Sequence, residues 1–165
     1  TCSTIFSDGA TASIITNQNK NNNFVFHTDG SGANDLILKD NGVNNNLQKT
    51  SELFMNGKKV LLFTMSVIPN LVKKILNKDK LKIKDIKFFV FHQASKIVID
   101  NLVKILDIPQ AKVFRNYSKY GNTVSSTIPI CLNEMIKKKI IKKNDKILLC
   151  GFGVGLSAAA TIIRA

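Results

Sequence analysis

Apolar residues change their spacing several times along the chain, and each change predicts an element. "FVFHT" and "IKFFVF" are short apolar runs without helical period, which predicts strands. Between them Val60, Phe63, Val67, Leu71, Val72, Ile75 and Leu76 recur at three- and four-residue steps, so a helix over 58–78 with one face on a core is expected. Pro69 lies inside that stripe and, having no N–H to donate, is expected to kink or restart the helix. A second helix is expected from about Ala94 to Leu106, stopped by Asp107-Ile108-Pro109, and a third from about Thr123 to Lys139. "STIF" and "TASIIT", on either side of the turn Ser7-Asp8-Gly9, read as strands, as does "KVFR" ahead of the loop "NYSKYGN"; "DGSGANDLILKDNG" reads as a loop.

The uncharged run from Ile147 to Ile163 has almost the length of a membrane span. Gly151, Gly153 and Gly155 would weaken such a helix, and "KILLCGF" and "LSAAATIIR" read better as two strands joined at "GVG". No membrane partner is expected. Strands alternating with helices imply a layered α/β domain, whose sites lie beyond the carboxyl ends of its strands. His92 in "FFVFHQAS" and Asn122 in "YGNTVSST" both fall there. Each also has a plain structural reading, since a lone histidine after a strand is often a packed or capping group and asparagine often caps a helix.

Composition narrows the partners. The chain has 165 residues, 44% hydrophobic and 21% charged, as a folded globule does. Its net charge of +13 invites a nucleic-acid reading, but only Arg115 and Arg164 carry the planar fork that phosphate and base recognition favours, and asparagine tracts accompany the lysines. No nucleic acid is expected; a basic surface suits an acidic protein or a phosphorylated carrier. Cys2, Cys131 and Cys150 are few and far apart, which argues against a disulfide framework and for a reducing, cytoplasmic setting, and no Cys/His cluster suggests a metal. The chain opens on Thr1, inside what reads as a strand, as a piece of a longer protein would. "GFGVG" is not a dinucleotide fingerprint, because that motif needs a following helix and an acidic residue about twenty positions on, and only fourteen residues follow Gly151. A tight structural turn is one reading of it.

Three segments, "FHQAS", "YGNTVSS" and "GFGVGLS", in this order and spacing, resemble the C-terminal half of the β-ketoacyl-acyl-carrier-protein synthase III family of the thiolase-like superfamily. "FSDGATASIIT", "FHTDG" and "MNGKKV" resemble its adjoining pieces. The resemblance implies a thiolase-like layered α/β fold, its mixed central sheet covered by helices, with residues 1–22 ending the N-terminal half and 23–165 forming the C-terminal half. It implies a transferase of fatty acid biosynthesis: an acyl group moves from a thioester to a cysteine, then condenses with a malonyl thioester as carbon dioxide leaves. His92 and Asn122 match the family's histidine and asparagine, and as neutral donors facing the thioester they would hold the developing enolate oxygen. The Val154 backbone N–H matches the donor for the acyl-transfer oxyanion, where family members often have glycine, and Phe152 would line the same cavity. No tightly bound cofactor is implied. Acyl-CoA and malonyl-acyl-carrier protein would be the substrates, a carrier protein or coenzyme A thioester the partner, and a homodimer the assembly.

The chain departs from the family at several positions. Ser95 stands where asparagine is frequent, and Leu62 and Ile97 stand where the carrier-docking surface usually has a lysine and an arginine; Lys58, Lys59 and Lys96 are the candidate replacements. The family's nucleophilic cysteine lies upstream of "FSDGA" at a helix start, and none of Cys2, Cys131 and Cys150 matches it. This chain alone is therefore not expected to condense anything. Two alternatives follow: an acyltransferase onto an oxygen or nitrogen acceptor of a sugar or secondary metabolite, with His92 as general base, and a non-catalytic partner subunit.

Overall fold

The computed structural model describes residues 5–15, 23–38 and 53–165. Its centre is a four-stranded mixed sheet. Strand β1 (Phe24–Thr28) pairs antiparallel with β6 (Ser157–Arg164), β6 pairs antiparallel with β5 (Lys146–Gly153), and β5 pairs parallel with β4 (Phe88–Phe91), giving the order β1-β6-β5-β4. The expected terminal hairpin is therefore β5 and β6, with Gly153 opposite Ser157. A separate ribbon joins β2 (Leu36–Leu38) to β3 (Leu53–Met55).

Alternation along the central strands divides the core between two faces. Phe89, Phe91, Leu148, Cys150, Ala158, Ala160 and Ile162 point one way and pack with helices α1 (Gly57–Lys78) and α2 (Lys96–Leu106). Val90 and Ile147 point the other way, against Cys131 and Met135 of α4 (Thr127–Lys137). Because both faces of β4 and β5 are covered, these strands read as continuous apolar runs. Burying each of Phe89, Phe91 and Leu148 contributes about 1.5–3 kcal/mol.

Helix α1 starts where Asn56 Oδ1 accepts the Lys59 N–H at 3.2 Å and buries Phe63, Ile68, Leu71, Val72, Ile75 and Leu76. By length and composition it is the one helix among the described residues that is apolar enough to cross a membrane, yet that stripe is packed on the sheet. Pro69 does not restart it, since helix assignment runs unbroken from Gly57 to Lys78: the buried stripe on both sides of Pro69 outweighs one lost backbone bond. Helix α2 begins two residues later than expected, because the Ser95 hydroxyl accepts the Val98 N–H and caps it. It ends as predicted, on Asp107 in the left-handed conformation.

Other expectations need correction. "KVFR" forms no strand; Val113 makes one isolated bridge to Phe89, while the Lys112 ammonium folds back onto the carbonyls of Ile83, Lys84 and Ile86. The third helix is split into a 3-10 turn over Val124–Ser126 and α4, because Val124 has φ +52° and cannot continue an α-helix. In "NYSKYGN" a single helical turn, α3 (Tyr117–Tyr120), is present, and the "DGSGANDLILKDNG" segment begins with a 3-10 turn over Gly30–Asp35 and continues as β2. Residues 11–15 of "TASIIT" form no strand, and of the two described residues of "STIF", Ile5 and Phe6, Phe6 makes an isolated bridge to Asn122. Cys2, Thr16 and the asparagine tracts lie outside the described residues, apart from Asn23.

Candidate active site

His92 follows β4 directly. Its N–H donates to the Cys150 carbonyl at 2.9 Å, continuing the parallel β4-β5 pairing, and its carbonyl accepts the Ala94 N–H at 2.9 Å, which closes the turn. Gln93, fully buried, braces that turn: its Nε2 donates to Phe91 O at 2.7 Å and its Oε1 accepts the Asn116 N–H at 3.0 Å. The imidazole is thus carried on a strand end whose backbone is held from both sides.

Two contacts fix the ring. Its Nδ1 lies 2.7 Å from Thr127 Oγ1, and the Phe152 ring meets it edge-on with centroids 5.3 Å apart. Burial pushes the imidazole pKa down from 6.5 to about 4, with the Val124 carbonyl opposing the shift, so the ring is neutral at neutral pH.

Asn122 sits after α3, with Gly121 before it at φ +66°; a Cβ on Gly121 would come within 2.7 Å of Ser7 Oγ. The segment at the start of the described chain clamps this loop. Ser7 N–H donates to Asn122 O at 3.0 Å, Asn122 N–H donates to Ile5 O at 3.3 Å, and Ser7 Oγ donates to Tyr120 O. The Asn122 side chain is buried, and its Oδ1 accepts the Val124 N–H at 2.9 Å. That bond assigns Oδ1 as the acceptor, and Nδ2 makes no hydrogen bond among the described residues, which leaves it as a donor. Val124 O in turn accepts the Thr127 hydroxyl at 3.0 Å. A run of hydrogen bonds therefore joins His92 to Asn122 through Thr127 and Val124.

Val154 lies in the turn between β5 and β6, two residues past Phe152, largely exposed and with no partner for its N–H among the described residues. The turn is fastened to Asp29 by paired backbone bonds to Leu156 at 2.8 and 3.0 Å. The lysines lie elsewhere. Lys58 is exposed on the first turn of α1, Lys59 pairs with Asp35 at 3.1 Å, and Lys96 pairs with Asp100 at the start of α2. Lys96 also borders an open cavity of about 700 Å³ with Asp100, Lys104, Arg115 and Tyr117, which is lined by neither His92 nor Asn122. Both described cysteines are inert: burial pushes Cys131, which also feels Glu134, and Cys150 up to about 12. No three His, Cys, Asp or Glu side chains gather among the described residues.

Sequence reasoning brought His92, Asn122 and Phe152 to one end of the sheet but missed Gln93, Val124 and Thr127. Thr127, five residues after Asn122 at the start of a helix, was legible as a polar residue but not as a partner of His92. A mixed sheet with helices on both faces and polar loops gathered at one end is a layered α/β architecture, as a thiolase-like half would have. Comparison with known proteins is more specific: the family 3-Oxoacyl-[acyl-carrier-protein (ACP)] synthase III C terminal matches residues 76–165, and the chain belongs to it. A Beta-ketoacyl-[acyl-carrier-protein] synthase III of Clostridium tetani is 34% identical over 97% of this chain, and its Synechocystis namesake is equally similar. A solved 3-oxoacyl-(acyl-carrier-protein) synthase III superposes with TM-score 0.79 at 31% identity over 87% of this chain and 47% of its own, and the Thermus thermophilus enzyme with 0.77 at 35% over 86% and 45%. The chain spans about half the length of the curated relatives it matches, 52% of each of the two bacterial proteins.

Proposed function

We propose that this chain is the C-terminal catalytic half of a synthase III-type acyltransferase that primes fatty acid biosynthesis. In this reading a cysteine in the upstream half takes an acyl group from acyl-CoA, and the acyl-enzyme condenses with malonyl-acyl-carrier protein as carbon dioxide leaves. The observation that carries it is the hydrogen-bonded run from His92 through Thr127 and Val124 to Asn122, with Phe152 against the imidazole.

Each group has a role that its chemistry suits. Loss of carbon dioxide builds negative charge on the thioester oxygen, and the Nδ2 of Asn122, left over when Oδ1 takes the Val124 N–H, donates to it without titrating. The neutral imidazole of His92 stands beside that oxygen and avoids binding the malonyl carboxylate too well before it leaves. The free Val154 N–H serves the oxyanion of acyl transfer, and the Phe152 ring keeps water from the imidazole. Lys58, with Lys59 and Lys96 after their carboxylate partners release them, forms the basic platform for the carrier or for coenzyme A phosphates. The assembled enzyme is a cytoplasmic homodimer with no tightly bound cofactor.

The test uses the full-length protein, acyl-CoA and malonyl-acyl-carrier protein, with carbon dioxide release as the readout. Release is expected, and Asn122→Ala should slow it about 10²–10³-fold. No release together with acylated oxygen or nitrogen acceptors would replace this reading with acyl transfer to those acceptors. Serine or alanine at the upstream helix start, with no activity of either kind, would replace it with a partner subunit.

A further inference from the structure

Strand β4 ends the sheet, and its open edge carries the start of a further parallel ladder. Val113 bridges Phe89 in the parallel sense, and the Phe114 N–H donates to Phe89 O at 3.1 Å. In such a ladder donors two residues apart on one strand meet carbonyls two residues apart on the other, so the next bond is due between Asn116 N–H and Phe91 O. The carboxamide of Gln93 stands there instead. Its Oε1 accepts the Asn116 N–H at 3.0 Å, and its Nε2 donates to Phe91 O at 2.7 Å. A backbone N–H only donates and a carbonyl only accepts, so both ends of the amide are assigned. Phe91, Gln93 and Asn116 are all buried, where polar groups are held to their partners.

We infer that Gln93 is a positioning residue: its carboxamide is a spacer inserted in the backbone ladder, and it sets how far the segment bearing Asn122 stands from the strand end bearing His92. Two hydrogen bonds and an amide span what one bond of about 2.9 Å would close. His92 lies between the Phe91 carbonyl and Gln93 itself. On the other side, Asn116 O accepts the N–H groups of Lys119 and Tyr120 at 2.9 and 3.1 Å, which winds α3, and the Gly121 N–H donates to Tyr117 O at 2.9 Å directly before Asn122. Helix α4 anchors Asn116 further, since its Oδ1 accepts the Cys131 thiol at 3.2 Å and its Nδ2 donates to Glu134 Oε2 at 3.5 Å. Ile5 and Ser7 hold the far end of the same segment, at Asn122, so Gln93 governs its near end. The catalytic consequence rests on the thioester reading above: the enolate oxygen needs His92 and Asn122 at once, and a misplacement of about 1 Å costs about 10²-fold. Acyl transfer, which that reading gives to the Val154 N–H and an upstream cysteine, does not depend on this spacing.

The test compares the full-length protein with Gln93→Met, which keeps the length without the two bonds, and with Gln93→Glu. A protonated carboxyl replaces the amide, donating its O–H to Phe91 O and accepting from Asn116, whereas an ionised one repels the carbonyl; burial raises the pH at which it ionises. Gln93→Met should lower kcat for carbon dioxide release about 10²-fold, with KM for malonyl-acyl-carrier protein and the rate of self-acylation by acyl-CoA unchanged. Gln93→Glu should match the wild type at low pH and lose carbon dioxide release as pH rises, on a limb that the wild type lacks. Equal loss of both half-reactions, or loss of neither, overturns the positioning role. If the wild type releases no carbon dioxide, the thioester reading fails while crystal structures still test the spacer: the separation of His92 and Asn122 should differ between wild type and Gln93→Met, and an unchanged separation overturns it. If neither variant folds, the wild-type crystal structure decides, because an Asn116 N–H bonded straight to Phe91 O overturns the spacer and an inserted amide upholds it.

Discussion

Lowering the pH should remove stability that traces to His92. Burial holds the folded imidazole at a pKa of about 4 instead of 6.5. Between those values the unfolded chain takes up a proton that the folded chain refuses, so the stabilisation is complete above about 6.5, falls as pH drops, and is gone below about 4. At about 1.36 kcal/mol per pKa unit, linkage gives a loss of about 2 kcal/mol between neutral pH and pH 5, and about 3 kcal/mol by pH 4. His92→Gln is of similar size and does not titrate. Urea unfolding of both proteins across this range isolates the difference, because Asp29, Asp100 and Glu134 are common to both. Those carboxyls lie below their usual range: Ser31 donates to Asp29, Lys96 bonds Asp100, and at Glu134 Lys138 and Lys119 overcome the opposing effect of burial. Wild type should therefore lose about 2 kcal/mol more than the variant by pH 5. Parallel curves for the two proteins would refute the buried, neutral imidazole on which the site reading depends.

Gln93→Ala should cost about 2–6 kcal/mol in urea unfolding, because it leaves the Phe91 carbonyl and the Asn116 N–H buried without partners at about 1–3 kcal/mol each. A loss below about 1 kcal/mol would mean that water replaces the amide. Gly9→Ala should cost about 1–3 kcal/mol, since its Cβ would lie 2.8 Å from Thr123 Cβ and Cγ2, and it should shift the Asn122 and Val124 amide resonances; an unshifted loop would contradict the packing. In a Cys2→Ser background, Cys131 and Cys150 should resist a thiol reagent at neutral pH until urea unfolds the chain. Rapid labelling of the folded protein would contradict their burial.

What the sequence carried was whatever repeats or alternates. The stripe of α1, the run of β4 and the terminal hairpin each extend over enough positions for period and turn residues to agree. "TASIIT" and "KVFR" have strand composition without a strand, because pairing is decided by neighbours far along the chain: Val113 finds one bridge, and Ile14 and Ile15 stand exposed. His92 was visible because it ends an apolar run and Phe152 through the family resemblance, but the pairing of Lys59 with Asp35 and of Lys96 with Asp100 was not, and it weakens both lysines as ready cations. Val124 was the least legible. A β-branched residue with positive φ goes against local preference, so nothing at that position predicts that its N–H and C=O serve two different side chains.

That conformation has to be held from outside, and the residues before β1 supply much of what holds it. A left-handed valine costs about 1–3 kcal/mol and persists only where its surroundings leave no other choice. Ser7 and Ile5 bond both sides of the Asn122 peptide, Ser7 Oγ reaches Tyr120 O, and Ser126 Oγ donates to Gly9 O at 3.1 Å while Thr11 Oγ1 donates to Ser126 Oγ at 3.4 Å. At about 0.5–1.5 kcal/mol net for each bond, this clamp outweighs the strain at Val124. The peptide that orients Asn122 and Thr127 is therefore pinned between the earliest described segment and the start of α4. The loop that carries Asn122 therefore depends on residues 5–11 as well as on the start of α4.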